Sequence, residues 1–304
     1  MPDTLSNSKI PMGVELAVGR LDSLSILPCV GTKLFSRLLQ GQFSPSALSD
    51  IVDADPALAA KALSLAGRRG VGRGDRGLSP SQALGKLPAH EVRDAVLSLK
   101  VLQPFGLDYD AERQAAELRK GLLLHSLAVA CAARAIAEMA LPPEDEWSAY
   151  CAGLLHDIGK LAIQDAMPKS LARIFEEANS AAESACALES KHLGTDHTLL
   201  GKHLAQKWRL PYPVTLAIWL HHNRSVIISE DMPEVRIAAV VQLADSIARQ
   251  SDVGRSGSFD LPEPIEPAAR YLGIDTERLE QVRETLAAEV ARKSEVLGLD
   301  LPNA

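Results

Sequence analysis

The stretch Leu154-Leu155-His156-Asp157-Ile158-Gly159-Lys160 sets a histidine, an aspartate and a lysine into an apolar, helical surrounding. An adjacent His and Asp can both ligate one metal where a helix turns toward its neighbours. Imidazole suits borderline metals, and a carboxylate can bridge two of them. Lys160 stands three residues after Asp157, so on a helix it shares that face. There its ammonium can hold a phosphate oxygen as a point charge. The stretch reads as part of one helix, Glu144 to Leu161, that follows Pro142-Pro143.

Helical periodicity continues on both sides. Downstream it predicts helices over Pro168 to Ala178, Ala185 to His192, Asp196 to Trp208, Pro213 to Leu220, Val235 to Arg249, Pro267 to Leu272 and Asp275 to Leu297. The Gly-, Ser- and Pro-rich segment Ser251 to Glu266 reads as a loop. Upstream, Ala111 to Met139 is a long helix, and Phe105 to Asp110 reads as a linker. Before it, Thr32 to Leu39 and Ala57 to Ala66 fit amphipathic helices, while Val14 to Leu27 alternates more loosely. Ser44-Pro45, Asp55-Pro56, Ser79-Pro80 and Pro88-Ala89 are helix starts, so about five short helices precede residue 105. No repeat and no strand is read, and the predicted class is all-α. The organisation is a tail over 1–13, an N-terminal helical lobe over 14–110 and a helical domain over 111–304.

Gly67 to Gly77 is rich in Gly and Arg. Gly72, Gly74 and Gly77 match G-x-G-x-x-G formally, but a helix rather than a strand precedes them. The segment reads as an interhelix loop, with an anion-binding or partner-docking role as the alternative for Arg68, Arg69, Arg73 and Arg76.

Composition excludes several classes. The chain has 304 residues, 46% of them apolar, with a net charge of −7. With a pI of about 5.7, a broad nucleic-acid surface is disfavoured. Cys29, Cys131, Cys151 and Cys186 are far apart and show no C-x-x-C spacing, so neither a disulfide framework nor a zinc ribbon is expected. Met1 to Lys9 is polar and unlike a signal peptide. No apolar stretch is read as reaching the ~18 residues of a membrane span. A cytoplasmic protein is the expectation.

Seven of the eight histidines fall between residues 125 and 222. His125 lies in an apolar helix. His197 follows Thr195-Asp196 at a helix start, and His221-His222 closes an apolar helix with Asn223 as its stop. Asp245 lies within apolar Ala239 to Ala248, where an ionised carboxylate is costly unless paired or on a metal. Each alone has a plain reading as a hydrogen-bonded core residue or an exposed one. Together, a helix bundle can collect them around one site. His90 reads as a surface residue, and His192 and His203 as surface or supporting residues.

These residues, in this order, resemble the HD-domain metal-dependent phosphohydrolase superfamily. Within it the chain is similar to the HDOD subfamily, over roughly residues 20 to 250. The likeness is carried by Asp55-Pro56-Ala57-Leu58, by the run Gly153 to Ile163, by Gly194-Thr195-Asp196-His197, by Trp208-Arg209-Leu210-Pro211 and by His221-His222. The resemblance implies an HD-type metal-binding domain in the C-terminal half. It implies one ion on His125, His156, Asp157 and Asp245, with Asp157 bridging to a second on His197, His221 and His222. Fe or Mn is favoured by family analogy, while Zn or Ni suits the same ligands.

The relatives that cleave cyclic di-GMP carry Gly-Tyr-Pro after the His pair. Here Asn223-Arg224-Ser225-Val226 follows, and position 121 is Gly where some trinuclear sites use Glu. Two functions stay open. One is a hydrolase of a phosphoester or nucleotide, with Asp157 and Lys160 as the catalytic residues. The other is a regulatory module that binds a signalling protein through its N-terminal half. No receiver, cyclase or sensor segment is read, so the signal is expected from a separate protein or ligand. Oligomeric state is not legible.

Overall fold

The helix starts read at Ser44, Asp55, Ser79 and Pro88 form as the sequence predicts, while the helix expected from Thr32 begins earlier, at Pro28. The computed structural model describes residues 10–40, 44–71, 77–101, 109–223, 233–262 and 264–299. After α1 (Met12–Gly19) and α2 (Pro28–Leu39), Ser44 caps α3 (Pro45–Ala54) by accepting from the Ala47 N–H. Asp55 caps α4 (Pro56–Arg68) through Leu58, and Ser79 opens α5 (Pro80–Gly85) in a reciprocal capping box with Gln82. A proline in the first turn of each presets φ where no N–H partner is needed. Helix α6 (Ala89–Leu97) follows. Of the Gly/Arg-rich loop expected over Gly67 to Gly77, Gly67 and Arg68 still belong to α4, and 72–76 lies outside the described residues, as does 105–108 of the expected linker.

Two departures from the predicted elements have simple causes. A parallel pair of two-residue strands, β1 (Ser25–Ile26) and β2 (Lys100–Val101), joins Ser25 to Lys100 and Ile26 to Val101. Strands this short carry no period-2 signal. Tyr109 and Asp110, expected in the linker, already belong to α7 (Tyr109–Ala140). By length and composition Arg113–Ala140 could cross a membrane, which corrects the expectation that no stretch is long enough. In the fold 78% of its most apolar window is buried, because the helices Glu146–Leu155, Pro233–Gln250 and Thr276–Leu297 pack around it. It is the core helix.

The third departure positions the site. The expected single helix Glu144 to Leu161 is a 3-10 turn (Pro143–Asp145), α8 (Glu146–Leu155) and α9 (Ile158–Ala166). The chain bends at His156-Asp157. Gly159 makes the bend tolerable, since a Cβ there would lie 1.9 Å from the His197 carbonyl oxygen. That contact seats α9 against the start of α12 (His197–Lys207).

The remaining helices are α10 (Pro168–Ala181), α11 (Ala185–Leu193), α13 (Tyr212–Leu220), α14 (Pro233–Gln250), α15 (Glu266–Leu272) and α16 (Thr276–Leu297). Helix α16 packs on α7 and also on α2 and α3. The buried apolar residues therefore form one continuous core through both halves. A polar joint reinforces it. Arg119 of α7 donates to the Leu161 carbonyl at 3.1 Å, to Gln164 at 3.2 Å and to the Ser25 carbonyl of β1. Asp165 pairs with Arg119 at 3.2 Å and accepts from the Ser25 N–H at 2.7 Å.

Candidate metal centre

Five separate pieces of chain deliver the seven expected ligands to one place. His125 comes from α7, His156 and Asp157 from the α8–α9 bend, His197 from the first residue of α12, His221 and His222 from the end of α13, and Asp245 from α14. All are buried except His222, which keeps some exposed surface although its Nε2 is hidden.

The two oxygens of Asp157 face different partners. On the Oδ2 side stand His156 Nε2 at 3.4 Å and His125 Nε2 at 4.0 Å. Asp245 Oδ1 closes that group, 2.9 Å from His125 Nε2 and 4.0 Å from His156 Nε2. On the Oδ1 side stand His197 Nε2 at 3.3 Å and His221 Nε2 at 3.8 Å. The donor atoms of His125, His156 and Asp245 lie within 4.8 Å of one another, and so do those of His197, His221 and His222. Each set is compact enough to surround one ion with bonds of about 2.0–2.2 Å.

The back of three of the rings is engaged. His156 Nδ1 donates to the Gly153 carbonyl at 2.7 Å, and His221 Nδ1 to the Ile218 carbonyl at 2.9 Å. His197 Nδ1 donates to Glu189 Oε2 at 2.6 Å, and the same oxygen accepts the His197 N–H at 2.7 Å. A proton held on Nδ1 leaves Nε2 with its lone pair toward the centre, the tautomer a metal ligand needs. Glu189 is fully buried, eight residues before His197 on α11. Sequence analysis missed it, because a glutamate among Ser190 and Lys191 carries no local mark of burial.

Nε2 of His125, His197, His221 and His222, together with Asp157 Oδ1 and Asp245 Oδ1, are buried without a hydrogen-bond partner. The His125–Asp245 contact is short but lacks hydrogen-bond geometry. Each such atom costs about 1–3 kcal/mol if nothing binds it. Electrostatics point the same way. Burial, then neighbouring histidines, holds His221 well below the usual imidazole range and His222 at about 3. Burial also lowers His125, against the pull of Asp245. His156 goes up, because Asp157 outweighs burial. Burial raises Asp157, but His156 and Lys160 more than offset it and keep it ionised. Asp245 is likewise held down, by His125 against burial. Neutral imidazoles at His125, His221 and His222 beside the ionised Asp157 and Asp245 are donors of the kind a divalent cation requires.

Lys160 shares the Asp157 face as expected. Its buried ammonium donates to Asp157 Oδ2 at 2.8 Å and to the Ser256 carbonyl at 2.9 Å. His90 and His203 are exposed, and His192 donates to Glu177 at 2.7 Å away from the centre.

The model of the HDOD domain matches residues 24–224 of the chain. The chain belongs to the HDOD domain family. The HDOD match ends before Asp245, whose place beside His125 is a matter of the fold. An uncharacterised protein of Treponema pallidum (strain Nichols) is 26% identical over 256 residues, 79% of this chain and 47% of the relative. The chain thus spans about half the length of that relative. Among solved structures it is similar to the MmoQ response regulator of Methylococcus capsulatus str. Bath, at 24% identity and a TM-score of 0.65, covering 86% of this chain and 98% of that one. It is also similar to an HDOD domain protein of unknown function from Geobacter sulfurreducens, at 21% identity and a TM-score of 0.51, over 93% of this chain and 96% of that one. These likenesses establish the helical HDOD fold.

Proposed function

We propose that this HDOD chain is a signalling protein built on a centre of two divalent cations, with phosphoester hydrolysis as the chemistry of the loaded centre. One observation carries the reading: six buried donor atoms from His125, Asp157, His197, His221, His222 and Asp245 converge and lack any hydrogen-bond partner. Asp157 would bridge, with His125, His156 and Asp245 on one ion and His197, His221 and His222 on the other. Bound cations would supply an activated water and a clamp on phosphoryl oxygens. The side chains present suit Fe, Mn, Zn or Ni, with Fe or Mn favoured by family analogy.

Lys160 and Glu189 serve the ligands. Lys160 fixes the Asp157 carboxylate, so its contribution is to orient the bridge. Glu189 fixes the His197 ring. The substrate class is a phosphoester or nucleotide, and a signalling protein would dock on the N-terminal lobe. A second reading is a non-catalytic module with a structural metal centre. It is favoured by the segment 251–262, whose Ser256 carbonyl is bonded to the same Lys160 ammonium that holds Asp157.

The test is a metal count on the purified chain, melting curves with and without chelator, and a phosphodiester and nucleotide panel. The parent should carry metal, and chelator should lower its Tm by about 5–15 °C, the worth of a tightly bound ligand in a chain of this size. Asp157→Asn should abolish the metal content and the chelator effect. Turnover lost in the same variant supports hydrolysis, while metal without turnover leaves the non-catalytic module. A metal-free, chelator-insensitive parent sinks both.

A further inference from the structure

The segment Ser251–Pro262, between α14 and α15, lies as a strap over the metal centre. Gly254, at φ +77°, rests so close to His125 that a Cβ would meet its backbone nitrogen at 2.2 Å. The strap is held by single bonds to separate elements. Lys160 donates to the Ser256 carbonyl at 2.9 Å, and the Arg255 N–H donates to the Gly121 carbonyl at 2.9 Å. The Ala185 N–H reaches Ser258 Oγ at 3.2 Å, and the Phe259 N–H reaches the Glu183 carbonyl at 3.3 Å. No helix or ladder reinforces them. The strongest fastening is ionic: Arg249 Nη2 donates to the Asp260 carbonyl at 2.7 Å and to its carboxylate at 2.8 Å.

Two cavities flank the strap. One, of about 410 Å³, reaches His125. The other, of about 350 Å³, reaches His222. The two histidines belong to different ligand sets, so each cavity approaches a different half of the centre. Arg249, Ser258 and Asp260 line both cavities. The Arg249 side chain is only 9% exposed, whereas that of Asp260 is 39% exposed. A largely buried guanidinium beside a metal centre is suited to a phosphate, which it binds through charge-assisted hydrogen bonds as it binds a carboxylate.

We propose that Arg249 is the phosphate-binding residue of this centre, and that the strap closes it by presenting the Asp260 carboxylate as an internal substitute for the ligand's anion. The inference rests on the metal-centre reading and names its ligand: a phosphomonoester or phosphodiester small enough for the flanking cavities. The ligand phosphate displaces Asp260 from Arg249. The freed strap, left with its single bonds, lifts, and the two cavities join over Asp157. The closed form is therefore an autoinhibited one, opened by the ligand it excludes.

The experiment measures binding of inorganic phosphate and of bis(4-nitrophenyl) phosphate to the full chain by calorimetry, with backbone amide exchange of the strap. Asp260→Asn keeps the side chain's shape and removes the competing charge at a partly exposed position. It should bind both probes about tenfold tighter, the worth of one charge-assisted bond freed from competition. Strap amides should exchange faster in this variant, and in the parent on adding probe. Adding Arg249→Gln, or Arg249→Lys where the glutamine variant does not fold, should cancel the gain. Equal binding by Asp260→Asn and the parent overturns the proposal, as does a gain that survives loss of Arg249. Metal is counted in the same samples. A metal-loaded chain with no gain defeats the strap and spares the metal centre. An Arg249-dependent gain in a metal-free chain does the reverse.

Discussion

Two buried polar clusters sit at opposite ends of α9 and differ in what they do with their hydrogen bonds. At the C-terminal end, Arg119, Gln164, Asp165 and Ser25 spend their hydrogen bonds on one another and on carbonyls, and Asp165 Oδ1, which makes none, lies 3.2 Å from the Arg119 guanidinium. Gln164 adds a bond to the Ala115 carbonyl at 2.7 Å. At the N-terminal end, Nε2 of His125, His197, His221 and His222 and one oxygen each of Asp157 and Asp245 stay unpaired. Both clusters are buried and both are charged. A cluster that closes on itself is a joint, and here it ties β1 to α7 and α9. A cluster whose open atoms converge is a receptor for something of opposite charge.

The comparison is broken most directly at the joint. Arg119→Met leaves the Asp165 charge buried and several carbonyls without donors. It should cost about 3–5 kcal/mol in urea unfolding, as removal of one partner of a buried pair does. The chelator-induced shift in Tm should stay as in the parent, because no metal-facing atom changes. A cost under ~1 kcal/mol, or a lost chelator response, would merge the two clusters into one system.

A pH series sharpens it further. Asp55 caps α4 but is fully buried, and burial raises its carboxyl to about 6, with the Leu58 N–H and Arg119 only partly offsetting this. A carboxyl whose folded value exceeds its unfolded one of about 3.8 favours folding when protonated, so its contribution is lost as pH rises from about 4 to about 6. Asp55→Asn keeps the cap and removes the titration. It should stabilise the chain above pH 6 by up to about 3 kcal/mol and be near neutral at pH 4. Melting curves at both pH values decide it, and a variant less stable at pH 7 than the parent would count against a buried, strained charge.

The smallest expected effect separates a ligand from its support. Glu189→Gln retains a hydrogen bond to His197 Nδ1 but not its charge. Metal affinity should fall by about 10–100-fold, with the fold intact, as for other carboxylates behind metal-bound histidines. Competition with a chromophoric chelator reads it. An unchanged affinity would make Glu189 part of the joint-like class rather than of the centre.

The all-helical class was legible because its signals are local. Ser44, Asp55 and Ser79 before prolines, and the apolar spacing of α7 and α14, act within a few residues of chain. The candidate ligands were legible for a different reason: His125, His156, Asp157, His197, His221, His222 and Asp245 are residues of metal-binding type placed in apolar runs, and their order matches a family. The bend at His156-Asp157 was not legible, since it depends on Gly159 meeting the His197 carbonyl nearly forty residues away.

What the sequence alone determined is therefore the helices, their starts and the identity of the polar residues that must be buried. What only the tertiary structure decided is which atoms those residues leave open. Local propensity fixes where a side chain starts, while packing of distant elements fixes where its last atom ends. Asp157 offering one oxygen to each histidine set, Glu189 locking the His197 tautomer, Lys160 spending its ammonium on Asp157 and the Ser256 carbonyl, and Asp260 reaching Arg249 from the strap all join residues on different elements. Distances of about 3 Å between such atoms exist only once the core has closed around them.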